Sequence, residues 1–501
     1  ILKNQWFITY GDEKWKVKSR NHLKKMTIYP PEARQAFEYT IDWLQDKACA
    51  RKSGLGTPLP WDPEWIVETL SDSTVYMAYY TIARIINEKQ ITAQELTNEV
   101  FDYIFRNKAT LEEALKTTSL SKPTIEEMKE EFEYFYPPDF RASAKELIFN
   151  HLTFYIFQHL ALFPKDHYPL EIEGNGMIMI EGGKMSKSGG NSITLKELLD
   201  KYGADASRFG LAYCGEGYPD ASFRLADSEA AGKRMKWLYS ELTETVFTDN
   251  ERRIDQWIRS KLQSKIQETH NHYDNLRTRS AITSGFFDIL NDMKWYETRT
   301  GKEKGPGYKE ALLTLVDLMT PIIPHFAEEI NEKVRKESKI FASYREFPKV
   351  DKKKINLQLE QEEILVKSVR EDIDGILSAI KKQEKNKPSK IEIFIAPDWM
   401  YKILKIRRSQ PANLIKEIME HDEIKQNSKI AVKYAQKLMA NPGIDSTLSS
   451  KSEYNAISDA IDYYKREYKV KEVKVYYAAK SSNTKANVAE PARPGISIEF
   501  E

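Results

Sequence analysis

The chain has 501 residues, with 76 lysines and arginines against 75 aspartates and glutamates, and a formal net charge of +1. That length allows about three domains with sizeable cores, and the even charge means that any basic surface has to be local. Cys49 and Cys214 are the only two cysteines, which excludes a disulfide framework or a zinc quartet and points to a reducing, cytoplasmic compartment; no apolar run reaches membrane-spanning length and no signal peptide is present.

Residues 1–225 mix helix-like and strand-like patterns and are rich in aromatics. "PEARQAFEYTIDWLQDKACARKSGLG" reads as a helix running into a glycine turn. "WDPEWIVETLSDSTVYMAYYTIARII" shows a helical apolar spacing after Pro63. Residues 88–133 read as charged helices, one of them started by Pro123. "KELIFNHLTFYIFQHLALF" predicts one mostly apolar helix, and "GMIMI" a short strand. "TLKELLDKYGADASRFGLAY" opens with a capping box, Thr194 to Glu197, and breaks at Gly203. Strand, glycine loop and helix in that order predict a parallel α/β sheet, whose sites lie at strand carboxyl ends.

From about 226 to 347 the pattern is almost purely helical, with short loops, as in an antiparallel bundle. The basic runs "KVDKKK" and "KKQEKNKPSK" flank the next helix and read as solvated linker. The tail alternates: "KIEIFIAP" strand, "WMYKILKI" helix, "EYNAISDAIDYYKREY" helix, "VKEVKVYYA" strand, "GISIEF" strand. The expected class is therefore α/β and all-α multidomain. Its parts are an α/β body over 1–225, a helical bundle over 226–350, a linker and helix over 351–384 and a small α/β domain over 385–501.

The chemistry concentrates at "EGGKMSKSGG", residues 181–190. Lys184 and Lys187 in a glycine-flanked loop suit an anion that arrives and leaves. Two ammonium groups can hold the β- and γ-phosphates of ATP while pyrophosphate departs, and Ser186 and Ser188 can orient them or donate to phosphate. Glycines on both sides let such a loop close and reopen. No side-chain nucleophile is needed, because an amino-acid carboxylate can attack the α-phosphate directly.

KMSKS followed by "KYGADASRFGLAY" resembles the class I aminoacyl-tRNA synthetases. "LKNQWFITY", "WDPEWIVETLSDSTVYMAYYTIA", "FNHLTFYIFQHLALFP", "GNGMIMIEGGKMSKSGGN", "TPIIPHFAEEI" and "PARPGISIEF" extend the resemblance to leucyl-tRNA synthetases of archaeal type. The resemblance implies the second half of a Rossmann-like class I catalytic domain, a helical tRNA-binding bundle of anticodon-binding type, and a carboxyl-terminal α/β tRNA-binding domain. It implies leucine, ATP with Mg2+ and tRNA(Leu) as substrates, and no resident metal.

Residue by residue, it assigns Lys184 and Lys187 to catalysis, with Met185, Ser186 and Ser188 also at ATP. Glu146 becomes the acid that receives the ribose, although the usual glycine two residues earlier is Ala144, and Leu147 stands where some relatives have a histidine. Gly174, Asn175 and Gly176 take the adenine, and Ser73, Tyr76 and His151 line the leucine site. Asp72 is left unassigned. His325 reads as structural, and Arg252, Arg253, Arg259 and Lys261 as either phosphate contacts or a solvated face. The H-x-G-H signature and the editing domain of such enzymes are not in this sequence. The chain, which begins at Ile1 with its first methionine at Met26, reads as a carboxyl-terminal half whose partner is the missing amino-terminal half. The alternatives are the corresponding half of an isoleucyl or valyl enzyme, and a non-catalytic tRNA-binding chain.

Overall fold

The computed structural model describes residues 4–181, 192–337, 339–381, 387–441, 443 and 445–500. It divides into two compact units. One is Ile1–Gly232 with Asn271–Ser280, and the other is Lys233–His270 with Ala281–Glu501.

The first unit is built on the expected parallel sheet. Strands β1 (Thr27–Tyr29), β2 (Phe140–Ala144) and β3 (Glu171–Asn175) lie in the order β1-β3-β2, with both pairings parallel. Alternation along the strands puts Ile28 and Ile172 on one face. They pack there with Phe37 and Ile41 of the helix Arg34–Trp43 and with Leu152 and Ile156 of the segment after β2. The predicted "GMIMI" strand is present as β4 (Ile178–Ile180), paired in parallel with β5 (Ala221–Phe223). The helix Leu195–Tyr202 starts in the predicted capping box: Glu197 N–H donates to Thr194 Oγ1 and Thr194 N–H to Glu197 Oε2. It ends at Gly203, whose φ is +80°.

Two local readings are corrected. The helical spacing after Pro63 begins later than predicted. Asp62–Val67 is a strand paired with Ala50–Arg51, because the contiguous Trp65, Ile66 and Val67 favour extended backbone; helices follow at Thr69–Asp72 and Tyr76–Glu88. The apolar helix after β2 is not uniform either. It opens as a 3-10 turn, Lys145–Leu147, continues as a π-turn, Ile148–Leu152, and becomes α-helical only at Thr153–Leu162.

The second unit contains helices such as Ile289–Thr300, Pro306–Met319 and Leu357–Lys381, together with the tail. In the tail, β6 (Pro388–Ile395), β7 (Glu472–Tyr477) and β8 (Gly495–Phe500) lie in the order β7-β6-β8, with β6 parallel to β7 and antiparallel to β8. The tail's long helical pattern splits into Ser450–Asp459 and Ile461–Tyr468, and a further helix, Ser428–Ala440, was not predicted. A buried ionic joint ties these helices together. Arg299 Nε donates to Glu363 Oε2 at 3.0 Å and Arg299 Nη2 to Asp459 Oδ2 at 2.9 Å, while Trp295 Nε1 donates to Glu363 at 2.9 Å.

Candidate functional site

Parallel strands deliver their next residues at their carboxyl ends, and the register here aligns two of those ends. Ala144 of β2 pairs with Asn175 of β3, so the turn carrying Glu146 and the Gly174-Asn175-Gly176 corner leave the sheet side by side. Glu146 is exposed on its turn. Close approach of backbone requires the glycine at Gly176 and a neighbouring side chain crowds Gly174. A Cβ on Gly176 would lie 2.0 Å from Pro219 O, and one on Gly174 would lie 2.8 Å from Ile148 Cδ1. Gly176 N–H donates to Gly217 O at 2.9 Å, and Asn175 Nδ2 to Gly176 O at 2.9 Å.

Lys145 and Asp220 lock this corner. Asp220 Oδ1 accepts from Lys145 Nζ at 2.8 Å and from Met177 N–H at 2.9 Å. The lysine hydrogen bond, then the backbone N–H, holds the Asp220 carboxyl below the usual range. Lys145 also donates to Tyr218 O at 3.1 Å. Glu181, the last described residue before KMSKS, has φ +50°; its N–H donates to Phe223 O and its Oε1 accepts from Leu225 N–H at 2.9 Å. Lys184, Met185, Ser186, Lys187 and Ser188 lie outside the described residues.

A second cluster joins the residues assigned to leucine. Ser73 and Tyr76 lie close together, at the end of one helix and the start of the next, His151 comes from the segment after β2, and Arg141 of β2 connects Tyr76 with His151. Arg141 Nη1 donates to Tyr76 Oη at 2.6 Å, and Nη2 lies 3.0 Å from His151 Nε2. Its guanidinium carbon also sits 5.6 Å from the Tyr76 ring centroid. Arginine only donates, so Nε2 of His151 has to accept, and the ring proton belongs on Nδ1. Nδ1 faces Ser73 Oγ at 3.2 Å and Leu70 O at 3.4 Å. Burial, opposed by the Leu70 carbonyl and reinforced by the Arg141 charge, lowers the His151 pKa, which favours the neutral ring that this geometry needs. His151 sits on the π-turn, a distortion common at functional sites.

Sequence reasoning missed Arg141, Lys145 and Asp220. The available signal was "FRASAK", in which cations bracket small residues in a strand that leads to the ribose acid. The basic residues Arg252, Arg253, Arg259 and Lys261 each lie beside an acid of the second unit. Arg252 is paired with Glu303 at 3.0 Å and Arg259 with Glu310 at 2.7 Å; Lys261 is 3.9 Å from Glu360, and Arg253 pairs with Glu362. Among the described residues, no group of three or more His, Cys, Asp or Glu side chains could hold a metal ion, and no helix is long and apolar enough to cross a membrane.

Comparison with known proteins agrees with this architecture. Residues 1–223 match the family model of tRNA synthetases class I (I, L, M and V), and residues 255–395 match the anticodon-binding domain of tRNA ligase. The chain is similar to the leucine–tRNA ligase of Methanocaldococcus jannaschii, 38% identical over 508 residues that cover 100% of this chain and 52% of the relative. It is similar also to that of Pyrococcus horikoshii, 37% identical over 519 residues, again 100% of this chain and 52% of the relative. The chain thus spans about half the length of the curated relatives it matches. A solved methionyl-tRNA synthetase of Mycobacterium tuberculosis, in complex with methionyl-adenylate, is 16% identical with a TM-score of 0.46, over 68% of this chain and 66% of that one. The class I tRNA synthetase model of the isoleucine, leucine, methionine and valine group thus accounts for residues 1–223, the anticodon-binding model for residues 255–395, and the similarity to these leucine–tRNA ligases runs along the whole of this chain.

Proposed function

We propose that this chain is the KMSKS-bearing half of a cytoplasmic leucine–tRNA ligase. That enzyme activates leucine with ATP to leucyl-adenylate and transfers it to tRNA(Leu). The observation that carries the reading is the 38% identity to a leucine–tRNA ligase along the whole chain. In activation, a leucine carboxylate oxygen attacks the α-phosphate of ATP, the bond to the bridging oxygen breaks, and pyrophosphate leaves. Lys184 and Lys187 would neutralise the charge growing on the departing oxygens, with Met185, Ser186 and Ser188 shaping the loop around them. Glu146 would accept hydrogen bonds from the ribose hydroxyls, and Gly174, Asn175 and Gly176 would let adenine approach backbone.

Ser73, Tyr76 and His151 would line the leucine site. Arg141 acts there as a positioning residue: it fixes the Tyr76 hydroxyl and the His151 tautomer. Its charge has no acid partner among the described residues, which leaves a positive field at the strand ends. Mg2+ would enter with ATP as the counter-ion of its phosphates. The bundle over 226–350 and the domain over 385–501 would dock on tRNA, joined by 351–384, and an amino-terminal half bearing H-x-G-H would complete the ATP site.

The test is leucine-dependent ATP–pyrophosphate exchange. Residues 1–501 alone should show negligible exchange, and adding the H-x-G-H half should restore it. In the restored enzyme Lys187→Ala should slow exchange by about a hundred- to a thousandfold while leaving leucine binding intact. Restoration by isoleucine or valine instead of leucine, or normal exchange in Lys187→Ala, would overturn the reading.

A further inference from the structure

The Glu146 turn and the Gly174-Asn175-Gly176 corner leave the sheet of the first unit at its carboxyl end. The opposite end of that sheet carries a separate cluster. Thr27 pairs with Glu171, and Thr27 N–H donates to Leu170 O at 3.0 Å, so β1 and β3 start side by side. A cavity of about 470 Å3 lies beside those starts, within the range of small-ligand sites. One wall is the helix Glu13–Leu23 with the residues that lead on to β1. The other is the stretch from the turn Lys165–His167 to β3.

The lining is cationic. Lys18, His22 and Lys25 follow one another at spacings of four and three, the repeat of a single helix face, and Lys165 comes from the other wall. All three lysines are exposed, and none forms an ion pair among the described residues. Cations of the same helix outside the lining are neutralised instead: Lys16 lies 3.9 Å from Glu13, and Arg20 Nε 2.6 Å from Asp42. Asp166 is the one carboxylate that the described lining contains. Lys18 is held in place, since its Nζ donates to Leu160 O and sits 5.1 Å from the Tyr168 ring centroid. His22 Nε2 donates to Pro169 O at 2.9 Å, and its ring meets that of Tyr168 edge-on at 5.2 Å. Burial, opposed by the Pro169 carbonyl and reinforced by Lys25 and Lys18, lowers the His22 pKa. The field of both lysines therefore reaches the imidazole.

We propose that this cavity binds an inorganic condensed phosphate, of the pyrophosphate or triphosphate kind, with its oxygens on Lys18, Lys25 and Lys165. Three cations from two walls suit an anion whose charge is spread over several centres better than a single orthophosphate. No arginine lines the described cavity, so the planar fork that grips a carboxylate with two parallel bonds is not offered. Compact ammonium groups on flexible stems serve phosphate oxygens as point charges. The phosphate chain of a nucleotide shares this chemistry, but the aromatic ring in the wall is already engaged. The Lys18 ammonium and the His22 ring both lie against Tyr168, which leaves it a poor platform for a base. The site is independent of the ligase reading, because it lies at the strand amino ends and uses neither lysine of KMSKS.

The experiment is calorimetry on the purified 501-residue chain carrying Lys184→Ala and Lys187→Ala, so that the KMSKS loop contributes no phosphate binding of its own. Pyrophosphate, tripolyphosphate, orthophosphate, citrate and ATP are titrated in metal-free buffer at low salt. Pyrophosphate and tripolyphosphate should bind more tightly than orthophosphate, citrate or ATP. Lys25→Gln and Lys165→Gln, both at exposed positions and checked for folding by circular dichroism, should each weaken pyrophosphate about tenfold. Lys14→Gln, at an exposed position of the same helix outside the lining, should leave it unchanged. A local readout comes from NMR of isotope-labelled histidine, with the His22 signal assigned through His22→Gln. Bound pyrophosphate should move the His22 titration to higher pH, because the anion offsets the Lys18 and Lys25 charges that depress it. No pyrophosphate binding, citrate or ATP binding as tight as tripolyphosphate, an equal loss in Lys14→Gln, or an unmoved His22 titration overturns the proposal.

Discussion

Arg141→Met tests the cluster at the end of β2. Methionine keeps most of the aliphatic stem, so packing is largely preserved while the guanidinium is removed. Two charge-assisted hydrogen bonds disappear, at 2.6 Å to Tyr76 Oη and 3.0 Å to His151 Nε2. Each is worth about 1.5–3 kcal/mol, part of which is offset because a half-buried cation no longer has to be desolvated. His151 is 3% exposed, so its Nε2 is left buried without a donor, at a further cost of about 1–3 kcal/mol. The net expectation is a loss of about 3 kcal/mol in the unfolding free energy, read by urea denaturation with tryptophan fluorescence. Tyr76→Phe alone removes one partner and should cost about 1 kcal/mol, and the double variant should fall short of the sum by about 1 kcal/mol. A pH series gives a second readout. Burial, and to a lesser degree Arg141, depresses the folded His151 pKa, so its contribution is full above the unfolded value of about 6.5 and is lost as pH falls below it. Without Arg141 that loss is smaller, and wild type and variant should converge toward pH 5. Additive energies with parallel pH profiles would refute the proposed linkage.

Arg299→Met should destabilise the second unit by about 3–5 kcal/mol, because Glu363 is left buried without its cation, whereas Arg299→Met with Glu363→Leu should recover most of that loss in the same denaturation assay. Glu453 is fully buried, accepts from Tyr401 Oη and from Ala492 N–H, both at 2.7 Å, and is pushed by burial up to about 7. Its folded pKa lies above the unfolded one, so the associated stability is present below about pH 4.3 and is lost as pH rises through about 7, on the order of 3 kcal/mol in all. Glu453→Gln should flatten that profile and raise stability at pH 8; a profile identical to wild type would remove the residue from the pH response. Gly176→Ala forces a Cβ to within 2.0 Å of Pro219 O and should cost about 3 kcal/mol or more, seen as a lower urea midpoint, because only backbone can give way.

Local signals made much of the frame legible. The Thr194 and Glu197 capping box, the Gly203 break and the alternating tail strands all state their structure within a few residues, and each formed as predicted. The Asp62–Val67 strand was hidden because its apolar residues match a helical spacing equally well until the pairing with Ala50–Arg51 decides between them. The candidate site divides along the same line. Ser73, Tyr76 and His151 are recognisable by resemblance, but their connection through Arg141 spans up to 65 positions of sequence and depends on tertiary geometry. The intrachain pairing of Arg253 with Glu362 and of Arg259 with Glu310 was invisible for the same reason, since a basic helix face looks alike in sequence whether it meets acid, RNA or water.

The π-turn Ile148–Leu152 makes the site sensitive to chain length as well as to residue identity. A π-turn accommodates one residue more than an α-helical turn needs. Deleting a residue within it, Asn150 for example, lets the backbone relax to a regular α-helix continuous with Thr153–Leu162, and the buried row of Tyr155, Ile156 and Leu160 keeps its place in the core. On the upstream side the spacing shortens by one position, which rotates side chains by about 100° relative to that core. Either His151 keeps its buried position and the turn after β2 must swing, or β2 holds its register and the imidazole turns away from Arg141. A single-codon deletion here would therefore leave helix content and much of the core intact while breaking the Arg141–His151 link without changing either residue.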